Sequence, residues 1–124
     1  MKGPFRLLLL ALAALPLVAQ AGGHASPSHE MAIVLTEMNH SPTDAHKATL
    51  TKVAKKKSAT ANERQLAGII ARIAHAPGDD DKAALQAMLD RDGTAESSRI
   101  IASAILNMMH RPKDADLAKL ETLK

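Results

Sequence analysis

The sequence contains no cysteine, no tryptophan and no tyrosine, and its one phenylalanine is Phe5. The absence of cysteine excludes disulfide bonds, iron–sulfur clusters, thiolate zinc sites and a cysteine nucleophile. If the segment that contains Phe5 is removed, no aromatic platform remains for stacking on bases or sugars. A chain of 124 residues has room for one small domain.

The first 21 residues have the three parts of an export signal. A positively charged start precedes an apolar run over 7–18, and Ala19-Gln20-Ala21 offers small residues to a signal peptidase. The apolar run is shorter than the roughly 20 residues that a membrane-spanning helix needs. We therefore predict a cleaved signal peptide over 1–21, with cleavage after Ala25 as the alternative, and a periplasmic or secreted protein without a transmembrane anchor.

Removal of this segment brings the chain close to neutrality. The sequence carries 16 basic and 13 acidic residues, and loss of Lys2 and Arg6 would leave 14 against 13, a net charge of +1. A near-neutral surface without aromatic rings offers neither counterion release nor stacking to a nucleic acid. We therefore expect no nucleic-acid partner.

The rest of the sequence repeats every 35 residues. A histidine stands two residues before a proline in Asn39-His40-Ser41-Pro42, Ala74-His75-Ala76-Pro77 and Met109-His110-Arg111-Pro112. Other positions recur at the same offset, among them Leu50, Leu85 and Leu120. So many coincidences at one offset indicate a tandem repeat.

Each repeat unit is predicted to be two helices joined by a tight turn. Ahead of each histidine, apolar residues fall at positions i, i+3, i+4 and i+7, which form one face of a helix. Proline cannot continue that helix but suits the first position of the next one. The helices are expected at 29–40, 43–57, 61–75, 78–91, 95–110 and 113–123. This pattern predicts an all-α fold of three helical hairpins over 29–124, as a short α-solenoid or a compact bundle, behind a flexible leader over 22–28.

Three local signals mark where helices begin and end. Ser41 and Thr60 are each followed three residues later by an acidic residue, as in a capping box. Asp92-Gly93-Thr94 supplies a glycine stop and then a threonine that could cap the next helix. Because the core would contain no aromatic ring, we expect modest stability or stability gained through self-association.

The predicted new N-terminus is a candidate metal site. Gly22-Gly23-His24 would offer a free amine, two backbone amides and an imidazole as four coplanar nitrogens. That arrangement suits Cu(II) or Ni(II). The site requires cleavage after Ala21, because cleavage after Ala25 removes His24.

The repeated histidines His40, His75 and His110 are the second candidate metal ligands. Each falls at the predicted C-terminal end of a helix, where a donor or cation is favourable, and this structural role is the preferred interpretation. In a stack of hairpins 8–10 Å apart, equivalent histidines would form a row, which could not bring all three to one ion. A neighbouring pair could bind an ion with help from Met38, Met109 or His46.

No arrangement of residues points to catalysis, and we expect a protein that is not an enzyme. The architecture favours an exported module that binds a protein or peptide through a surface lined with methionine and aliphatic residues. Two alternatives stay open. One is a periplasmic copper or nickel protein that uses Gly22, Gly23 and His24, and the other is an immunity or inhibitor protein for an exported toxin.

Overall fold

A computed structural model describes residues 25–124, which form six helices. The helices are α1 (Pro27–Glu37), α2 (Asp44–Lys55), α3 (Ala61–Ala71), α4 (Asp79–Asp90), α5 (Glu96–Asn107) and α6 (Asp114–Glu121). The predicted all-α fold of three hairpins is therefore confirmed. None of these helices is long and apolar enough to cross a bilayer. The predicted signal peptide and Gly22-Gly23-His24 lie outside the described residues.

Helix α1 begins earlier than the expected start at residue 29. The Ser26 hydroxyl accepts a hydrogen bond from the His29 backbone N–H, and Pro27 occupies the first helical position, where its missing N–H costs nothing. Pro27 and Ser28 are both buried. The two residues assigned to the end of the leader are therefore part of the folded domain.

Two helices begin with a capping box, and one of these two boxes was predicted correctly from the sequence. At α3 the Glu63 carboxylate accepts from the Thr60 N–H at 2.8 Å, and Thr60 Oγ1 accepts from the Glu63 N–H at 3.1 Å. The capping box expected at Ser41 is wrong. Thr43 caps α2 instead, in reciprocal bonds with His46, because the chain stays extended for two further residues before it turns into the helix.

The connection between α4 and α5 also differs in part from the expected one. Gly93 has a φ of +86°, which confirms the glycine stop. Thr94, however, does not begin α5, whose N-cap is Ala95. Its hydroxyl donates to the carbonyls of Met88 and Arg91, at 2.8 and 3.1 Å, and so satisfies groups left free at the end of α4.

The three hairpins close into a ring. The first helices α1, α3 and α5 contact one another, while α2 packs on α3 and α4 packs on α5. Helix α6 packs on α1 in the same way, and His29 Nδ1 lies 3.3 Å from the Leu123 carbonyl oxygen at this junction. The repeat therefore forms a compact bundle with approximate threefold symmetry, in which the first helices surround the axis.

The core consists of layers in which each repeat contributes one side chain. Three of these layers, from the first helices, are Met31 with Leu66 and Ile101, Leu35 with Ile70 and Ile105, and Met38 with Ile73 and Met108. Every member of these layers is at most 4% exposed, and so are Leu50, Leu85 and Leu120 of the second helices. Burial of each such side chain contributes about 1.5–3 kcal/mol.

A polar layer lies at the start of the first helices. It contains Ser28, Glu63 and Ser98, which occupy equivalent positions in the three repeats and are all buried. The Ser28 hydroxyl donates to Glu63 Oε2 at 3.0 Å across the boundary between two repeats. The apolar layers therefore lie between this polar layer and the histidine turns.

Candidate metal centre

Each repeat histidine is the central residue of a three-residue turn. The N–H of the residue after it donates to the carbonyl of the residue before it, at 2.9 Å for Ser41 and Asn39. The equivalent bonds in the other two repeats are 2.8 and 2.7 Å long. His40, His75 and His110 have φ values of +74°, +71° and +68°. A hydrogen bond of this span around a positive φ defines a strained γ-turn, which is rare in proteins.

Proline explains where these turns occur. Pro42, Pro77 and Pro112 are buried, and each lies two residues before the first residue of a helix. The prolines were expected at the first helical position, and this expectation is wrong. That position is occupied by Asp44, Asp79 and Asp114. Because a residue before proline avoids the helical region, Ser41, Ala76 and Arg111 cannot resume a helix directly after the histidine, and the next helix begins only beyond the proline.

The backbones of the three turns are joined around the axis. The His75 N–H donates to the His40 carbonyl at 2.7 Å, the His110 N–H to His75 at 2.6 Å, and the His40 N–H to His110 at 2.7 Å. Each histidine therefore donates to one neighbour and accepts from the other. This ring of hydrogen bonds fixes the three Cα atoms relative to one another and directs the side chains to a common point.

The three imidazoles meet through their Nδ1 atoms. The Nδ1–Nδ1 distances are 3.2 Å between His40 and His75, 2.9 Å between His40 and His110, and 3.1 Å between His75 and His110. The rings are nearly perpendicular, with centroids 4.7–5.1 Å apart. All three residues are exposed, although Met38, Ile73 and Met108 two positions earlier are buried. The triad formed by His40, His75 and His110 thus covers one end of the core.

The expected row of separate histidines is therefore wrong. It assumed an open stack, in which equivalent residues are one helix spacing apart, whereas ring closure brings all three to the axis. The expected helix-end position also differs, because α1 ends at Glu37, three residues before His40. In the described contacts, the imidazoles approach one another rather than the last helix carbonyls.

Two of the three proposed helper residues have other contacts or surroundings. Met38 is 3% exposed in the core, whereas Met109 is 71% exposed next to His110 in the sequence. Both ring nitrogens of His46 have other partners, since Nδ1 accepts from the Thr43 N–H and Nε2 donates to the Glu37 carboxylate 3.3 Å away. Within residues 25–124, the triad is the one group of His, Asp or Glu side chains close enough together to hold an ion.

A side-chain contact spans each histidine turn and connects the two helices of the hairpin. The three pairs occupy equivalent positions: Glu37 with His46, Arg72 with Asp81, and Asn107 with Asp116. In the second pair the guanidinium makes two hydrogen bonds to the carboxylate, at 2.6 and 3.0 Å, and this hydrogen bonding raises the pKa of Arg72. The acidic partner lies on the first helix in one repeat and on the second helix in the others, so the position of the contact is kept while its chemistry changes.

No protein-family model, curated protein or solved structure matches this chain. Any functional proposal therefore rests on the chemistry of the described side chains.

Proposed function

We propose that this protein binds one divalent transition-metal ion through the Nδ1 atoms of His40, His75 and His110. The observation that carries the proposal is the approach of all three atoms to within 3.2 Å of one another. It favours metal binding over the other functions expected from the sequence, at a site separate from the predicted one at Gly22-Gly23-His24.

Hydrogen bonding alone leaves such a triangle unsatisfied. A Nδ1 atom carries either a proton, and then donates, or a lone pair, and then accepts. Among three mutually close atoms, at least two have the same role, so at least one of the three contacts is unfavourable. A cation at the centre removes this conflict, because all three nitrogens can then direct lone pairs at it.

The distances suit an ion with imidazole ligands. With metal–nitrogen bonds of about 2.0–2.1 Å, two nitrogens lie about 3.3 Å apart on a tetrahedral ion and about 2.9 Å apart at a right angle. The observed separations of 2.9–3.2 Å fall between these values. Zinc, nickel and copper favour imidazole ligands, whereas magnesium and calcium require oxygen ligands.

The peptide-binding function expected from the sequence has less support. It relied on methionine and aliphatic side chains lining a groove, but Met31, Met38, Met88 and Met108 are buried in the core. Export to the periplasm, the Gly22-Gly23-His24 copper or nickel site and a toxin partner remain predictions, because they depend on residues outside 25–124 or on a partner.

Calorimetric titration of the metal-free protein with Zn(II) tests the proposal. A His24→Ala background prevents a contribution from the predicted N-terminal site. We expect one ion per chain, and at least about a 100-fold loss of affinity in His75→Asn, since changes merely beside a metal ligand already cost 10–100-fold. Asparagine is chosen because it tolerates a positive φ.

His46→Gln is the matched control for this titration. It removes an imidazole that contacts residues on both sides of the His40 turn, and glutamine can preserve the capping box with Thr43. We expect its Zn(II) affinity to equal that of the parent. Equal affinity in the parent and in a His40→Asn, His75→Asn, His110→Asn triple variant would contradict the proposal.

A further inference from the structure

We infer that the ion held by the triad keeps a coordination position open to solvent and binds a small anion there. This inference rests on the proposed function and adds to it the chemical class of a second ligand. It follows from the number of protein ligands, the exposure of the triad and the charge that the ligands leave on the ion.

The triad supplies three ligands to the ion. Among the histidine, aspartate and glutamate side chains of the described residues, the group within ligating distance of one another contains the three histidines and no carboxylate. Asp44, Asp79 and Asp114, which follow the histidines by four residues, are not members of this group. A tetrahedral ion would therefore lack one ligand, and a six-coordinate ion would lack three.

A further ligand can reach the ion only from the outer, solvent side of the triad. His40, His75 and His110 are exposed, whereas the side chains of Met38, Ile73 and Met108 in the adjacent core layer are buried. Met38 and Met108 of that layer offer only thioether sulfurs, which suit soft ions such as Cu(I) rather than Zn(II) or Co(II). The apolar core also cannot admit a hydrated ligand. Solvent therefore has access to the ion from the outer end of the axis.

The charge that remains on the ion favours an anion as this further ligand. Three neutral imidazoles bring no negative charge, so a divalent ion bound by them keeps its full charge of +2. An anion is then a better additional ligand than a neutral molecule, and a bound water is more readily deprotonated to hydroxide. Azide, carbonate and carboxylates belong to the class of small anions that this position would accept.

Visible spectroscopy of the Co(II)-loaded full chain tests this inference, again with His24→Ala. The protein alone should give d–d absorption bands that are lost in the His75→Asn variant. Addition of sodium azide should then shift or intensify these bands with saturation, whereas sodium perchlorate at the same ionic strength, a weakly coordinating anion, should not.

The two proposals fail in different ways in this experiment. If no histidine-dependent Co(II) bands appear before azide is added, metal binding by the triad is wrong and the inference falls with it. If such bands appear but do not respond to azide, the triad binds metal and the open anion position is wrong. A saturable change with azide that requires His75 supports both.

Discussion

At the scale of single residues, the most unusual feature is a histidine in left-handed conformation repeated three times. Residues other than glycine rarely adopt a positive φ, and although histidine does so more often than most, a γ-turn of this kind is strained and costs about 1–3 kcal/mol. In this fold the strain coincides with the ring of hydrogen bonds between His40, His75 and His110. The turn geometry that costs conformational energy is thus the geometry that brings the imidazoles together.

Because the strained turn conformation and the metal ligand belong to the same residue, two substitutions of His75 can separate the cost of backbone strain from the loss of metal binding. In the presence of a chelator, His75→Val should lower the free energy of unfolding by about 1–3 kcal/mol relative to His75→Asn, because a β-branched residue is strongly disfavoured at a φ of +71°. Urea denaturation followed by circular dichroism measures the difference. Equal unfolding free energies for the two variants would mean that the turn relaxes to another conformation without cost.

At the scale of secondary-structure elements, the start of α3 concentrates several interactions on one buried side chain. Glu63 accepts from the Thr60 N–H through one carboxylate oxygen and from the Ser28 hydroxyl through the other. The first bond caps α3, and the second connects α3 to α1 of the preceding repeat. Ser98, the equivalent residue in the third repeat, is buried too, so this layer is polar in every repeat.

Glu63→Ala should therefore destabilise the protein by about 2–3 kcal/mol, since it leaves the Thr60 N–H and the buried Ser28 hydroxyl without their acceptor while the Thr60 cap itself remains. Glu63→Gln is the matched variant, because its amide can still accept from Thr60 and bond to Ser28, and it should cost less than about 1 kcal/mol. Thermal and urea unfolding measure the free energy of unfolding of both variants. A loss in the glutamine variant as large as in the alanine variant would assign the effect to the charge instead of the hydrogen bonds.

Much of the secondary structure could be predicted from the sequence, because it depends on local signals. The spacing of Leu66, Ile69, Ile70 and Ile73 defines the buried face of a helix, and the box between Thr60 and Glu63 defines its start. The conformation of His75 could not be predicted in this way, because nothing in its neighbourhood resembles a glycine turn. Its positive φ depends on hydrogen bonds to residues 35 positions away.

At the scale of the whole molecule, the arrangement of the hairpins was the decisive unknown. Helical periodicity identifies which face of a helix is buried, but not the angle between successive hairpins, and a small change in that angle separates an open stack from a ring. One signal for closure is present in the sequence. The terminal repeats of an open solenoid have a polar outer face, whereas Met31 and Ile101 in the terminal repeats are as apolar, and as buried, as Leu66 in the middle one.

Closure predicts that the order of the repeats along the chain can be changed. Lys124 is equivalent to Ala54 and Ala25 to Thr60, so five linker residues between Lys124 and Ala25 would restore the 35-residue period. A circular permutant can then begin at Gly93 and end at Asp92, which are both exposed in the connection between α4 and α5. Each contact between helices, including that of α6 with α1, is available to this chain.

We expect the permutant to keep the helical circular dichroism spectrum of the parent 25–124 segment and to unfold within about 10 °C of it, since about 1 kcal/mol corresponds to 4–8 °C in a domain of this size. The same linker inserted within α5, between Ala102 and Ser103, is the control and should abolish folding, because it shifts half of a buried helix out of register. In an open stack the first and third repeats would not touch. Moving the third repeat to the front would then place its surface against the first repeat, which it does not contact in the parent chain. Loss of cooperative unfolding in the permutant would therefore count against the ring and, with it, against the meeting of His40, His75 and His110 on one axis.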